Sequence, residues 1–159
     1  MEEKEATVTP LIRETYLAVI QNSLGSNTFR NYFALVNNEK QDILRDGELS
    51  CAFFVSSLLL IFGLTKESHC TVSGLTKDME KSGWTAIDEP KEGAVLVWEP
   101  VTDDEGNLQE HIGYYIGDGL AISTSTTSKT PHQHHWKFED KTSGNTRKIA
   151  KIYWHEKIG

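Results

Sequence analysis

The stretch Ser50-Cys51-Ala52-Phe53-Phe54-Val55-Ser56-Ser57-Leu58-Leu59-Leu60-Ile61-Phe62 decides the fold that we predict for this chain. It begins with a serine, which is a good helix N-cap, and it stops at Gly63, which is typical of a helix end. Only two serines interrupt its apolar surface, and a helix that is apolar all round is a buried one. It falls short of the roughly 20 residues that a membrane span needs, so we predict a central, fully surrounded helix and no membrane span.

The sequence before this stretch also has helical patterns. Thr9-Pro10 resembles an N-cap followed by a first-turn proline, and the apolar residues after it follow at helical spacing until Gly25. Residues 28–36 are amphipathic, with their aromatic residues on one side, and predict a second helix. A more polar helix is predicted from about Val72 to Lys81. The helical part therefore covers about residues 9–83.

The pattern changes to that of β-strands after Trp84. Strands are predicted at 94–98, 111–116, 120–124 and 148–154, with a turn at 103–107 and a tight hairpin at Asp118-Gly119. Helices followed by an antiparallel meander indicate an α+β fold. We predict a single domain over residues 1–159, with its β part at about 93–155.

Composition and charge exclude some classes of function. The chain has 159 residues, of which 38% are hydrophobic and 25% charged, with a net charge of -7. A nucleic-acid binder needs a basic patch, and no lysine- or arginine-rich run is present, so we expect no nucleic-acid partner. The first residues are charged, with no apolar run behind them, which is unlike a secretory signal. We therefore expect a cytoplasmic protein or the trimmed form of a secreted one.

Cys51 and His111 are the candidate reactive residues. Ser50 as N-cap places the cysteine in the first turn of the buried helix, where unpaired N–H groups and the helix dipole stabilise a thiolate. His111 opens a strand, and a sheet packed against the helix would hold its imidazole near the sulfur. Each residue alone also has a plain structural reading, because cysteines pack in cores and histidines occur at strand edges.

Three segments resemble the NlpC-type family of cell-wall cysteine peptidases. They are residues 48–55 around the cysteine, residues 90–98 leading into the first core strand, and the hairpin residues 111–119. The resemblance implies a papain-like fold, with the cysteine helix packed on a small antiparallel meander, and hydrolysis of amide bonds in peptidoglycan stem peptides without a cofactor. By the same resemblance Cys51 attacks the carbonyl, His111 moves the proton, and the Cys51 backbone N–H stabilises the oxyanion.

The sequence departs from that family at the third catalytic residue. The family often has a second histidine 12 positions after the base, and here that position is Ser123. Two hairpin registers remain open, and both place a hydroxyl of Ser123–Thr126 beside His111. A hydroxyl can orient an imidazole but carries no charge to stabilise imidazolium. We therefore predict a slow enzyme or one that needs a bound partner; the alternative is a weakened domain that binds a peptide or partner protein.

Three further residues are predicted to contact substrate along the groove: Ser50, Trp98 and His132. His132 and His134 share a strand face, which could begin a metal site, but no third ligand is evident and we predict no metal. We expect residues 130–136 to rim the groove, or one of their histidines to reach the Cys51–His111 pair.

Overall fold

The computed structural model describes residues 2–159 and confirms the α+β class. Its helices are α1 (Ile12–Asn22), α2 (Cys51–Ile61) and α3 (Val72–Lys81), and a 3₁₀ turn lies at Glu156–Ile158. The strands are β1 (Phe33–Val36), β2 (Glu39–Asp42), β3 (Thr85–Ile87), β4 (Val95–Thr102), β5 (Leu108–Gly117), β6 (Leu120–Thr124), β7 (Pro131–His135) and β8 (Ile149–Trp154). β1 and β2 form a separate hairpin, and the other six form an antiparallel sheet in the order β3-β8-β4-β5-β6-β7.

Helix α2 lies at the centre of the main core, as the sequence predicts. Phe54 is fully buried, with its ring centroid 5.2 Å from that of Phe29 and 5.5 Å from that of Tyr114. The Tyr114 hydroxyl donates to the Val55 carbonyl at 2.7 Å, which ties the helix to β5. The last turn differs from the prediction, because the Ile61 side chain is 66% exposed. The helix is therefore surrounded at its cysteine-bearing part and not at its C-terminal end.

The helix predicted for residues 28–36 is wrong. Phe33–Val36 forms β1, which pairs with β2 through a turn at Asn37 and Asn38. Both asparagines have positive φ, 51° and 65°, as the two central residues of a type I′ hairpin turn require. The turn chemistry of Asn-Asn therefore prevails over the amphipathic spacing that indicated a helix.

Strands β3 and β7 also lie outside the predicted meander. Both are edge strands of the large sheet, and both are short. β7 reads Pro131-His132-Gln133-His134-His135, which has no apolar alternation by which a strand could be recognised. Edge strands need only one hydrogen-bonded neighbour, and polar residues and proline are common there.

The large sheet has a core on each of its faces. Val95, Ile112, Tyr114 and Ile122 pack towards the helices, in the cluster that contains α2. The alternate residues Ala94, Leu96, Trp98, Ala121 and Ile152 form a second cluster on the opposite face. None of the helices in residues 2–159 has the length and apolar character to cross a membrane.

Candidate active site

Cys51 is the first residue of α2, and Ser50 occupies the N-cap position as predicted. The Ser50 hydroxyl donates to the Gly47 carbonyl at 2.8 Å and does not cap the helix N–H groups. Those first-turn groups are therefore left without the serine oxygen as a partner. The backbone N–H groups of Cys51 and Ala52 act on the sulfur and favour its thiolate form.

The thiol lies against the backbone of β5 on either side of His111. The Cys51 Sγ makes a long hydrogen bond to the Glu110 carbonyl oxygen at 4.0 Å, and the Ile112 N–H acts on the same sulfur. Tyr115 accepts a backbone hydrogen bond from Gly93 and donates one to Ala94, both just before β4. Tyr115 therefore faces β4, and the even-numbered residues of β5 direct their N–H and C=O groups to the other side, towards β6. The β5–β6 register begins only at Tyr114, paired with Ile122. The sulfur therefore occupies the gap that β6 leaves open.

The His111 imidazole lies on the sheet face opposite α2. It is buried, with 7% of its surface exposed, and its ring centroid lies 5.0 Å from that of Trp98 and 5.5 Å from that of Phe138. Its Nε2 lies 2.9 Å from the Ser123 Oγ, whereas its Nδ1 has no hydrogen-bond partner within residues 2–159. The nitrogen that could accept a proton is therefore Nδ1.

One cavity brings the two predicted reactive residues together. It has a volume of about 450 Å³, and Cys51 and His111 both line it. Its wall also includes Thr124, Phe138 and Arg147. The Arg147 guanidinium donates to the Gln109 carbonyl at 2.9 Å and has no carboxylate partner within residues 2–159. The cavity thus contains a thiol, an imidazole and an unneutralised cation.

Both reactive groups are uncharged in this environment. Burial raises the pKa of the Cys51 thiol, and the nearby N–H groups and the charge of Arg147 only partly oppose this. Burial also lowers the pKa of His111 to about 3, and the Arg147 charge acts in the same direction. At neutral pH the cavity is therefore lined by a thiol and a neutral imidazole.

Ser123 lies where its spacing from His111 predicts. Gly117 pairs with Leu120 at the tip of the hairpin, and an irregularity after Tyr115 shifts the remaining register so that Tyr114 pairs with Ile122. Continued along the strands, this register sets Ser123 opposite Gly113 and diagonal to His111. The sequence leaves two registers open, in which His111 faces either Thr126 or Ser125. The register with Ser125 opposite His111 and Ser123 diagonal describes the part of the hairpin that contains the site.

Gly113 makes room for Ser123, and its replacement tests this contact. A Cβ at Gly113 would lie 2.7 Å from the Ser123 Cβ and 2.8 Å from the Ile122 carbonyl oxygen, closer than real Cβ contacts. We expect Gly113→Ala to lower the free energy of unfolding by about 1–3 kcal/mol, measured by urea denaturation. Adding Ser123→Gly should recover part of the loss, because it removes one of the two colliding atoms. Equal stability of Gly113→Ala and wild type would contradict the prediction.

The three residues predicted to contact substrate do not line this cavity. Ser50 and Trp98 are each 1% exposed, and the Trp98 indole N–H donates to the Trp136 carbonyl at 2.9 Å. Trp98 instead packs beside the His111 ring. His132 lies on β7 opposite Ser123, and its Nδ1 is buried without a hydrogen-bond partner. Ser50 and Trp98 are buried away from the cavity, and His132 lies on the edge strand outside its lining; sequence spacing reveals neither.

Arg147 and Phe138 are the cavity residues that sequence reasoning missed. Both belong to the polar segment between β7 and β8, which contains no motif or periodicity to identify them. A backbone hydrogen bond brings the two residues close: the Arg147 N–H donates to the carbonyl of Lys137, the residue before Phe138, at 2.7 Å. Tertiary hydrogen bonding of this kind has no local sequence signal. Within residues 2–159, no group of three or more metal-ligating side chains is arranged to hold a metal ion.

The chain matches no protein-family model, and a search of curated proteins found no significant match.

Proposed function

We propose that this protein is a thiol-dependent amide hydrolase with a papain-like, NlpC-type fold, in which Cys51 is the nucleophile and His111 its base. The observation that carries the proposal is the position of the Cys51 sulfur against the β5 backbone that flanks His111, in a cavity that both residues line. A Cys–His pair needs its two side chains within hydrogen-bond reach of each other. The shared cavity supports such a pair. The proposal requires the imidazole to reach the sulfur in the substrate complex, because the hydrogen bond of the sulfur here goes to the Glu110 carbonyl oxygen.

The proposed reaction uses the neutral pair directly. The His111 Nδ1 takes the proton from the Cys51 S–H as the sulfur bonds to the substrate carbonyl carbon, which gives a tetrahedral oxyanion. The backbone N–H of Cys51 donates to that oxygen. The imidazolium of His111 then returns its proton to the leaving amine as the C–N bond breaks and a thioester forms. Water, deprotonated by His111, hydrolyses the thioester and restores the thiol.

The proposed substrate class is a peptidoglycan stem peptide, acted on by endopeptidase or amidase chemistry. This part of the proposal rests on the sequence resemblance, and an unneutralised Arg147 in the cavity suits a substrate that carries carboxylates. The test is digestion of purified peptidoglycan and of free stem peptides by wild type and by Cys51→Ser, with the products identified by mass spectrometry. New amide-cleavage products with wild type alone are expected. Intact substrates with wild type would contradict the proposal.

The pH dependence of hydrolysis should reflect a neutral histidine base. His111 is in its base form above its folded pKa of about 3, so kcat/KM should rise as the pH passes that value. From there to neutral pH, kcat/KM should stay constant. With an unperturbed histidine as base, it would instead rise around pH 6.5. The measurement is the initial rate on a cleaved stem peptide between pH 3 and 8. An acid limb centred near pH 6.5 would contradict the burial of the base.

A second candidate function is a domain that binds a peptide or partner protein without cleaving it. The observation in its favour is the uncharged pair, because a buried thiol with a raised pKa is a poor nucleophile at rest. Alkylation of Cys51 at pH 7 distinguishes the two candidates. In the enzyme, general-base assistance makes the alkylation rate fall in His111→Ala. In a binding module, this substitution leaves the rate unchanged.

A further inference from the structure

A chain of hydrogen bonds continues from His111 through Ser123 to a second histidine that the proposed mechanism does not use. The Ser123 Oγ lies 2.6 Å from the Nε2 of His134, which is on β7. The His134 Nδ1 lies 2.7 Å from the backbone carbonyl oxygen of His135. The Phe138 ring stacks on His134, with 3.9 Å between centroids and 12° between planes. His134 is therefore held in place by its neighbours.

The hydrogen bond between the His134 Nδ1 and the His135 carbonyl fixes the direction of the other hydrogen bonds in the series. A carbonyl oxygen can only accept, so the His134 Nδ1 carries a hydrogen. Burial lowers the pKa of His134 to about 4, so at neutral pH its Nε2 has no hydrogen and must accept. The Ser123 hydroxyl therefore donates to His134, and the Ser123 oxygen accepts from the Nε2–H of His111. This leaves the His111 Nδ1 with an unshared electron pair.

We propose that His134 is a positioning residue that, through Ser123, holds His111 in the tautomer whose Nδ1 can accept the thiol proton. The consequence for hydrolysis rests on the proposed function, whereas the tautomer itself does not. If His134 could not accept, the Ser123 hydroxyl would be free to donate to the His111 Nε2. His111 would then carry its hydrogen on Nδ1 and could not act as the base for Cys51.

The test is to determine the histidine tautomers of the whole chain at pH 7 by long-range ¹⁵N–¹H NMR spectra. In wild type, we expect His111 to have a protonated Nε2 and an unprotonated Nδ1. His134→Phe keeps an aromatic ring to stack on Phe138 but removes the acceptor, so His111 should shift to the Nδ1–H tautomer. His134→Gln offers an amide oxygen to Ser123 and should restore the wild-type tautomer. An Nδ1–H tautomer in wild type, or no change in His134→Phe, would overturn the proposal.

Two further variants show whether a tautomer shift comes from these hydrogen bonds or from a general disturbance of the structure. His132→Phe alters a ring on the same strand face, 5.0 Å from His134 between centroids. His132 makes none of the hydrogen bonds that link His111, Ser123 and His134, so this variant should leave the His111 tautomer unchanged. An equal shift in His132→Phe would count against the proposal. Ser123→Ala removes the bridge, so His111 should become a mixture of tautomers; retention of one tautomer there would also overturn the proposal.

Activity measurements add an independent result. On a cleaved stem peptide, His134→Phe should lower kcat/KM by about 10²–10⁴-fold, the contribution of a general base, with recovery in His134→Gln. Unchanged activity in His134→Phe would contradict the positioning role. If the tautomers shift as predicted but no variant and no wild-type sample cleaves a stem peptide, the positioning role stands and the proposed function fails.

Discussion

Replacing Cys51 by alanine is expected to lower kcat for amide hydrolysis by about 10⁴- to 10⁶-fold, because the covalent route through the thioester is lost. His111→Ala should have an effect of similar kind, since a buried thiol whose pKa is raised needs a base to lose its proton at neutral pH. The measurement is single-turnover hydrolysis of a cleaved stem peptide followed by mass spectrometry.

The double variant provides the decisive comparison. Residues that act as one unit have strongly non-additive effects, so Cys51→Ala with His111→Ala should be no slower than either single variant. Cys70→Ala is the matched thiol control and should keep its activity, because Cys70 lines the same cavity but makes none of the contacts proposed for the reaction. Loss of activity in Cys70→Ala with retention in Cys51→Ala would reverse the assignment of the nucleophile.

Acidification is expected to destabilise the protein well before its carboxylates titrate. The folded pKa of His111 is about 3 because of burial, whereas an unfolded histidine has a pKa of about 6.5. A histidine with a depressed folded pKa contributes stability fully above the unfolded value, and this contribution is lost as the pH falls below it. Between about pH 6.5 and about pH 4.5, His111 alone should lower the free energy of unfolding by about 2 kcal/mol.

Urea denaturation at a series of pH values between 4.5 and 7 measures this loss. The pKa of His134 is also lowered by burial, so His134 adds to the loss in the same direction. His111→Gln has no ionisable group at that position, and its stability should depend less on pH by the amount assigned to His111. Identical pH dependence in the two proteins would show that the imidazole is not held neutral by the fold.

The sequence predicts best those parts of the molecule where local pattern and tertiary burial agree. The buried helix, the polar helix at Val72–Lys81 and the strands around His111 and Ser123 have bounds close to those expected. The strand at Phe33–Val36 is predicted as a helix because the spacing of its apolar residues fits the period of a helix as well as that of a strand. The Asn-Asn turn that follows decides in favour of the strand. The strand β7 could not be predicted, since its stability comes from pairing with β6 and not from its own residues.

The candidate site divides in the same way. Cys51 and His111 stand out by their positions at one helix start and one strand start, and the family resemblance pairs them. Ser123 follows from that resemblance together with the hairpin register. Arg147 and Phe138 come from an irregular segment that reaches the cavity only through long-range hydrogen bonds and packing. The orientation of the imidazole also escapes sequence reasoning, because it depends on the partner of Ser123 across a strand pairing that no periodicity indicates.

The two reactive residues pack in different cores of the sheet, and both line the same cavity. The sulfur belongs to the helix-side core around Phe54 and Tyr114, and the imidazole belongs to the opposite core around Trp98 and Phe138. Neither core contains both groups. A substitution that disturbs the packing of one core should therefore displace either the Cys51 thiol or the His111 imidazole, and leave the other group in place. Inactivating mutations should therefore sort into two groups: those that change thiol accessibility and those that change imidazole protonation.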